Sequence, residues 1–140
     1  MRLWPTLSLC TYLALPTPAV AQSARWVTIS KTKDQRIEVD TADVGITSSL
    51  HVTVWWRLTN RLPHTSPSVD SPSRTVRWSM LTDHEEIDCH EKETRIIQQV
   101  LYSSSGDVVD SFKADSLAPW NEPPPDSVLE FVMRWSCEHL

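Results

Sequence analysis

The sequence predicts an α+β domain: an antiparallel sheet of five to six strands with a C-terminal helix tied to the sheet by a disulfide. Three observations predict it. At positions 50–58 the residues Leu50, Val52, Val54, Trp56 and Leu58 are apolar while His51, Thr53, Trp55 and Arg57 intervene, the period of two of a half-buried strand. Near the C-terminus Leu129, Val132, Met133, Ser136 and Cys137 recur at i, i+3, i+4, i+7 and i+8, one stripe of an α-helix. Once an export signal is removed, Cys89 and Cys137 are the cysteines that remain, an even pair able to close one bond in an oxidising compartment.

That signal occupies 1–21. Arg2 supplies a positive start, Leu3 to Leu15 an apolar run, and Ala19-Val20-Ala21 a small-x-small cleavage site after Pro16 and Pro18. The run is about 13 residues, short of the roughly 20 that cross a bilayer, so no membrane span is expected. Cys10 raises a lipid-anchored alternative, but Leu9 stands where that chemistry needs a small residue. The exported domain is then 22–140, and its place is the periplasm or the cell surface. Net charge is −5 at pH 7, without the clustered Lys and Arg that a nucleic-acid partner requires.

The elements follow in order. Residues 25–30 place Val27 and Ile29 on one side, and 36–40 place Ile37 and Val39 likewise, so the two form a first hairpin. The long strand at 50–58 comes next. Residues 61–73 hold Pro63, Pro67 and Pro72 among serines, which predicts a mobile, unpaired loop. From 74 to 89 the apolar phase changes: Val76, Trp78 and Met80 are even, Ile87 and Cys89 odd, and a bulge at 81–84 would reconcile them. Residues 94–102 alternate again, Ser103 to Asp107 form a turn, and 108–113 complete the sheet. Pro123-Pro124-Pro125 precedes the helix, and Ser127 with Glu130 has the S-x-x-E form of a capping box. About three helical turns are marginal alone, so packing on the sheet and the Cys89 to Cys137 bond must hold them.

Chemistry-bearing motifs are sparse. With only 2 glycines, Gly45 and Gly106, no phosphate-cradling loop can be built, and neither G-x-S-x-G nor a Cys-His protease context occurs. No catalytic residue, cofactor or metal ligand is assigned. The densest set of metal-type side chains runs from His84 to Glu91 and supports the alternative of a small periplasmic metal-binding protein or enzyme. His84 and His90 are six apart, however, where H-E-x-x-H zinc sites need four. On a strand His84, Glu86, Asp88 and His90 would share one face at about 6.6 Å spacing, which reads as a solvated outer face.

Aromatic content is the stronger signal. The chain has 7 tryptophans, of which Trp4 falls in the signal. Trp55 and Trp56 are adjacent, so a strand sends them to opposite faces: Trp56 inward, Trp55 outward among His51, Thr53 and Arg57. His51, Trp55 and Arg57 are the expected contact for a protein partner, since aromatic and cationic side chains dominate binding hot spots. Composition leaves the oligomeric state undefined.

The order of short motifs also carries a resemblance. Trp26, the strand ending in Asp40, Val54-Trp55, Glu86-Ile87-Asp88-Cys89, Arg95-Ile96, Gly106-Asp107-Val108-Val109, Trp120, Pro125, Ser127 and Cys137 together resemble the surface-adhesin protein E family of Gram-negative bacteria. The resemblance implies an antiparallel sheet with a disulfide-held C-terminal helix, and a surface or periplasmic protein; with the lack of catalytic motifs, the expected function is a binding module without enzymatic activity. Better-known family members bind host extracellular proteins.

Overall fold

A computed structural model describes residues 25–69, 71–114 and 118–140, so the export signal read over 1–21 lies outside the described residues. The chain folds into one antiparallel sheet and one helix: β1 (Trp26–Lys31), β2 (Gln35–Asp40), β3 (Gly45–Ile46), β4 (Val52–Pro67), β5 (Thr75–Asp88), β6 (Glu93–Tyr102), β7 (Val108–Lys113) and α1 (Val128–His139). The order is β1-β2-β4-β5-β6-β7, a meander with β3 added beside β4. The sheet therefore has 7 strands where five to six were expected. The extra one is the two-residue β3, too short for any periodicity to reveal. Gly45 fits there because it pairs with Thr53, whose hydroxyl a Cβ at position 45 would strike.

Strand β4 alternates as its sequence requires. Val54, Trp56 and Leu58 are buried, and with Ile37, Val39, Ile87, Val132 and Met133 they form the core between sheet and helix. Leu50 departs from the expected apolar stripe: it is 82 % exposed, in a turn with φ 65°, and its N–H donates to the Thr47 carbonyl at 3.0 Å. The strand starts only at Val52.

Residues 61–73 are not the unpaired loop their prolines predicted. Strand β4 continues to Pro67, with His64, Thr65, Ser66 and Pro67 opposite Trp78, Arg77, Val76 and Thr75. The prolines cause no conflict because Pro63 sits within the register shift between Thr59 and His64 and Pro67 ends the strand, positions where a missing donor costs nothing. The turn beyond is bound down too. Asp110 on β7 accepts from the Val69 N–H at 2.8 Å and from the Arg74 guanidinium at 3.1 Å, and its carboxylate side chain is fully buried.

The bulge expected within 81–84 of β5 is absent. Pairing with β4 runs without interruption from Met80 to Ile87; the shift lies against β6, between His84 and Glu85, where His84 meets Gln98 and Glu85 meets Ile96. The residue left over is Ile97 on β6. Strand β5 thus keeps strict alternation at 81–87 and presents Leu81, Asp83, Glu85 and Ile87 to the helix-bearing face, opposite Leu58, Trp56, Val54 and Val52.

Helix α1 starts at the N-cap Ser127, whose hydroxyl accepts from the Glu130 N–H at 3.1 Å. The return bond differs from the standard box by one residue: the Glu130 carboxylate accepts from the Asp126 N–H at 2.6 Å. Val132, Met133 and Ser136 are its buried residues, with Val128, Leu129, Phe131 and Trp135 packed around the core. Cys137 sits at the border of this stripe and is bonded to Cys89, with Cα atoms 5.7 Å apart and a sequence separation of 48. By the chain-entropy account, closing a loop of that length stabilises the fold by up to about 4 kcal/mol.

Candidate functional site

The face of the sheet opposite α1 collects the residues left when the core takes its share. On β4 these are Thr53, Trp55, Arg57 and Thr59; register places Glu86, His84 and Thr82 beside the first three on β5, and Glu38 beside Arg57 on β2. Three neighbouring clusters result.

Around Arg57, Nε donates to Glu38 Oε2 at 2.6 Å while the guanidinium carbon stands 4.4 Å from the centre of the Trp26 ring. Arg36 adds a second cation 3.2 Å from the same carboxylate. Burial pushes the Glu38 pKa up, but Arg57, Arg36 and the Thr28 hydroxyl outweigh it and hold it below the ordinary value. Arg57 is thereby fixed in place, with its side chain 25 % exposed.

In the middle row Trp55 stacks on His84, ring centres 4.6 Å apart and planes 10° from parallel. Both are half-buried. Burial lowers the His84 pKa, against the opposing pull of Asp43 and Glu86, so the ring over Trp55 is favoured in its neutral form.

The third cluster centres on Glu86. Its Oε1 lies 2.9 Å from His51 Nδ1, and its Oε2 accepts from Arg95 at 2.6 and 2.8 Å. The other His51 nitrogen is 3.3 Å from Asp88 Oδ2. Burial raises the Glu86 pKa, yet His51 and Arg95 together bring it below the ordinary value. Trp120 covers this group, edge-on to His51 at 4.9 Å and 4.5 Å from the Arg95 guanidinium carbon. A two-way backbone bridge between Asn121 and Thr94, 2.9 Å in each direction, sets Trp120 there. Sequence reasoning missed Trp120 as a site residue; no periodicity marks a tail that crosses a sheet.

His51, Trp55 and Arg57 thus lie on one face, each in a different cluster. Of the proposed metal-type set, His84, Glu86 and Asp88 share that face, but Glu86 and Asp88 are engaged by His51, and His90 has left the strand for an exposed turn. Among the described residues no group of three His, Cys, Asp or Glu has the geometry to hold a metal ion. Nor, among them, does any serine, threonine or cysteine side chain form a hydrogen bond to an imidazole nitrogen. What the face offers is a mosaic of aromatic rings and charges already compensated by their neighbours, suited to complementary contact.

Such an architecture defines a small α+β domain with one sheet face closed by a disulfide-tied helix and the other laid out in aromatic and ionic clusters. The chain belongs to the surface-adhesin protein E family, which it matches over residues 26–138. Neither the curated proteins nor the solved structures offer a match to it. Membership makes it one of a family of surface adhesins and implies export to the cell surface. No helix among the described residues is long and apolar enough to cross a membrane.

Proposed function

We propose that this protein is an exported, non-enzymatic binding module that holds a protein partner against the sheet face opposite α1, with His51, Trp55 and Arg57 at the centre of the contact. One observation carries the reading: the helix packs on the other face, while this one carries three aromatic pairings, Trp26 with Arg57, Trp55 with His84 and Trp120 with Arg95. Tryptophan and arginine are the residues most often found at binding hot spots. Both arginines are held by carboxylates, so they enter a contact with little rotamer freedom left to lose. Membership of an adhesin family supports this reading, since it suggests binding to other proteins or host surfaces.

The test is binding of the purified, disulfide-intact protein to a panel of immobilised extracellular-matrix glycoproteins, comparing wild type with Trp55→Ala. For the glycoprotein that wild type binds, the substitution should weaken affinity about tenfold or more, as loss of a hot-spot aromatic does. Unchanged affinity at unchanged melting temperature would remove this face from consideration.

A further inference from the structure

Six carboxylates are buried among the described residues: Glu38, Asp40, Asp83, Glu85, Glu86 and Asp110. Four have a cation against them. Glu38 has Arg57 and Arg36, Asp40 has Arg25, Glu86 has Arg95 and His51, and Asp110 has Arg74. Asp83 and Glu85 have none, although they are 5 % and 3 % exposed. They stand two residues apart on the helix-bearing face of β5, so their side chains point the same way.

Among the described residues, the groups that register and the helix bring to them are neutral. Across β4 they meet Trp56 and Val54, and across β6 they meet Gln99 and Ile96. Leu81 and Ile87 flank them on β5, and α1 sends Val132, Met133 and Ser136 inward. Asp110, the buried carboxylate of β7, is occupied by Arg74. Asp83 Oδ1 and Glu85 Oε2 have no hydrogen-bond partner, and the Trp56 indole N–H directly opposite Asp83 has none either. A lone ionised carboxylate in such a place is costly, whereas a neutral carboxyl carries its own donor and far less penalty.

We propose that Asp83 and Glu85 form a proton-holding pair that ties closure of the helix-bearing face to acidity: the face is tightest with both carboxyls neutral and loosens as they ionise. Burial raises Asp83 to about 7, against a hydrogen bond from Gln99, and raises Glu85 to about 8, with the Asp83 charge adding to it. In the unfolded chain both return to about 4. Because the folded values are the higher ones, the stabilisation is complete below pH about 4 and is lost as pH rises through 7 to 8. The Cys89–Cys137 bond keeps α1 tethered when the face loosens.

The experiment is urea unfolding of the disulfide-intact protein between pH 5 and pH 8, wild type against the double variant Asp83→Asn, Glu85→Gln. Contributions common to both proteins cancel, so the difference between the two curves decides. From pH 5 to pH 8 the unfolding constant of wild type should rise about a hundredfold or more relative to that of the variant. Parallel curves would overturn the proposal. Should the double variant fail to fold, carboxyl-carbon NMR of wild type settles the matter: titration of both groups above pH 6 supports the pair, and titration below pH 5 refutes it.

Discussion

The two faces of the sheet handle polar groups in opposite ways. On the face away from α1, Glu38 and Glu86 each hold an arginine and a second cation or donor, and burial fails to raise either pKa. On the face beneath α1, the side-chain atoms Trp56 Nε1, Asn60 Nδ2, Asp83 Oδ1, Glu85 Oε2 and Ser136 Oγ are buried without partners among the described residues. Strand register puts the four sheet residues on that one side, and Ser136 faces them from the helix. The difference teaches where this fold can tolerate charge. Ion pairs gain most where an arginine reaches the carboxylate; on the helix side Arg74 does so for Asp110 from the turn before β5, and among the described residues none does so for Asp83 or Glu85.

Three substitutions sharpen that contrast. The largest effect belongs to the covered face: Trp56→Ala should destabilise the fold by roughly 3–5 kcal/mol, the burial-plus-cavity loss of a large aromatic, read from urea unfolding. Glu86→Gln comes next. It leaves Arg95 and His51 facing a neutral amide and should cost about 1–3 kcal/mol at pH 7 by the same measurement; a change near zero would mean that the ion pairs of this face are not worth their desolvation. The smallest effect is Ser127→Ala at the start of α1, about 1 kcal/mol for a lost N-cap, seen as a small fall in melting temperature. If Ser127→Ala proved as damaging as Trp56→Ala, the helix would be contributing more than a lid over the core.

Much of this arrangement was legible from residues alone, and the exceptions have physical causes. The alternation at 52–58, the stripe in α1 and the cysteine pair survive in the structure because each rests on periodicity or parity, which tertiary context rarely reverses. Residues 61–67 were misread because proline depletes strands on average, while here it occupies a register shift and a strand end. Asp83 and Glu85 received no assignment from the sequence, which put only His84, Glu86, Asp88 and His90 on a solvated outer face. Their parity with Leu81 and Ile87 carried the missing message, that two carboxylates occupy inward positions between two apolar ones. His51, Trp55 and Arg57 do lie outward, but the company each keeps came from β1, β2, β5, β6 and the 118–121 tail, pairings that no local pattern encodes.

The disulfide also changes what a protease can accomplish. Cys89 follows β5, and Cys137 lies in the last turn of α1, so β6, β7 and the tail bearing Trp120 all belong to one covalently closed loop. A single cut anywhere in that loop leaves both fragments joined through sulfur, with α1 still fastened beside the sheet. Outside the cell, where hydrolytic attack is constant and no resynthesis is at hand, a nicked copy of this domain keeps all its parts.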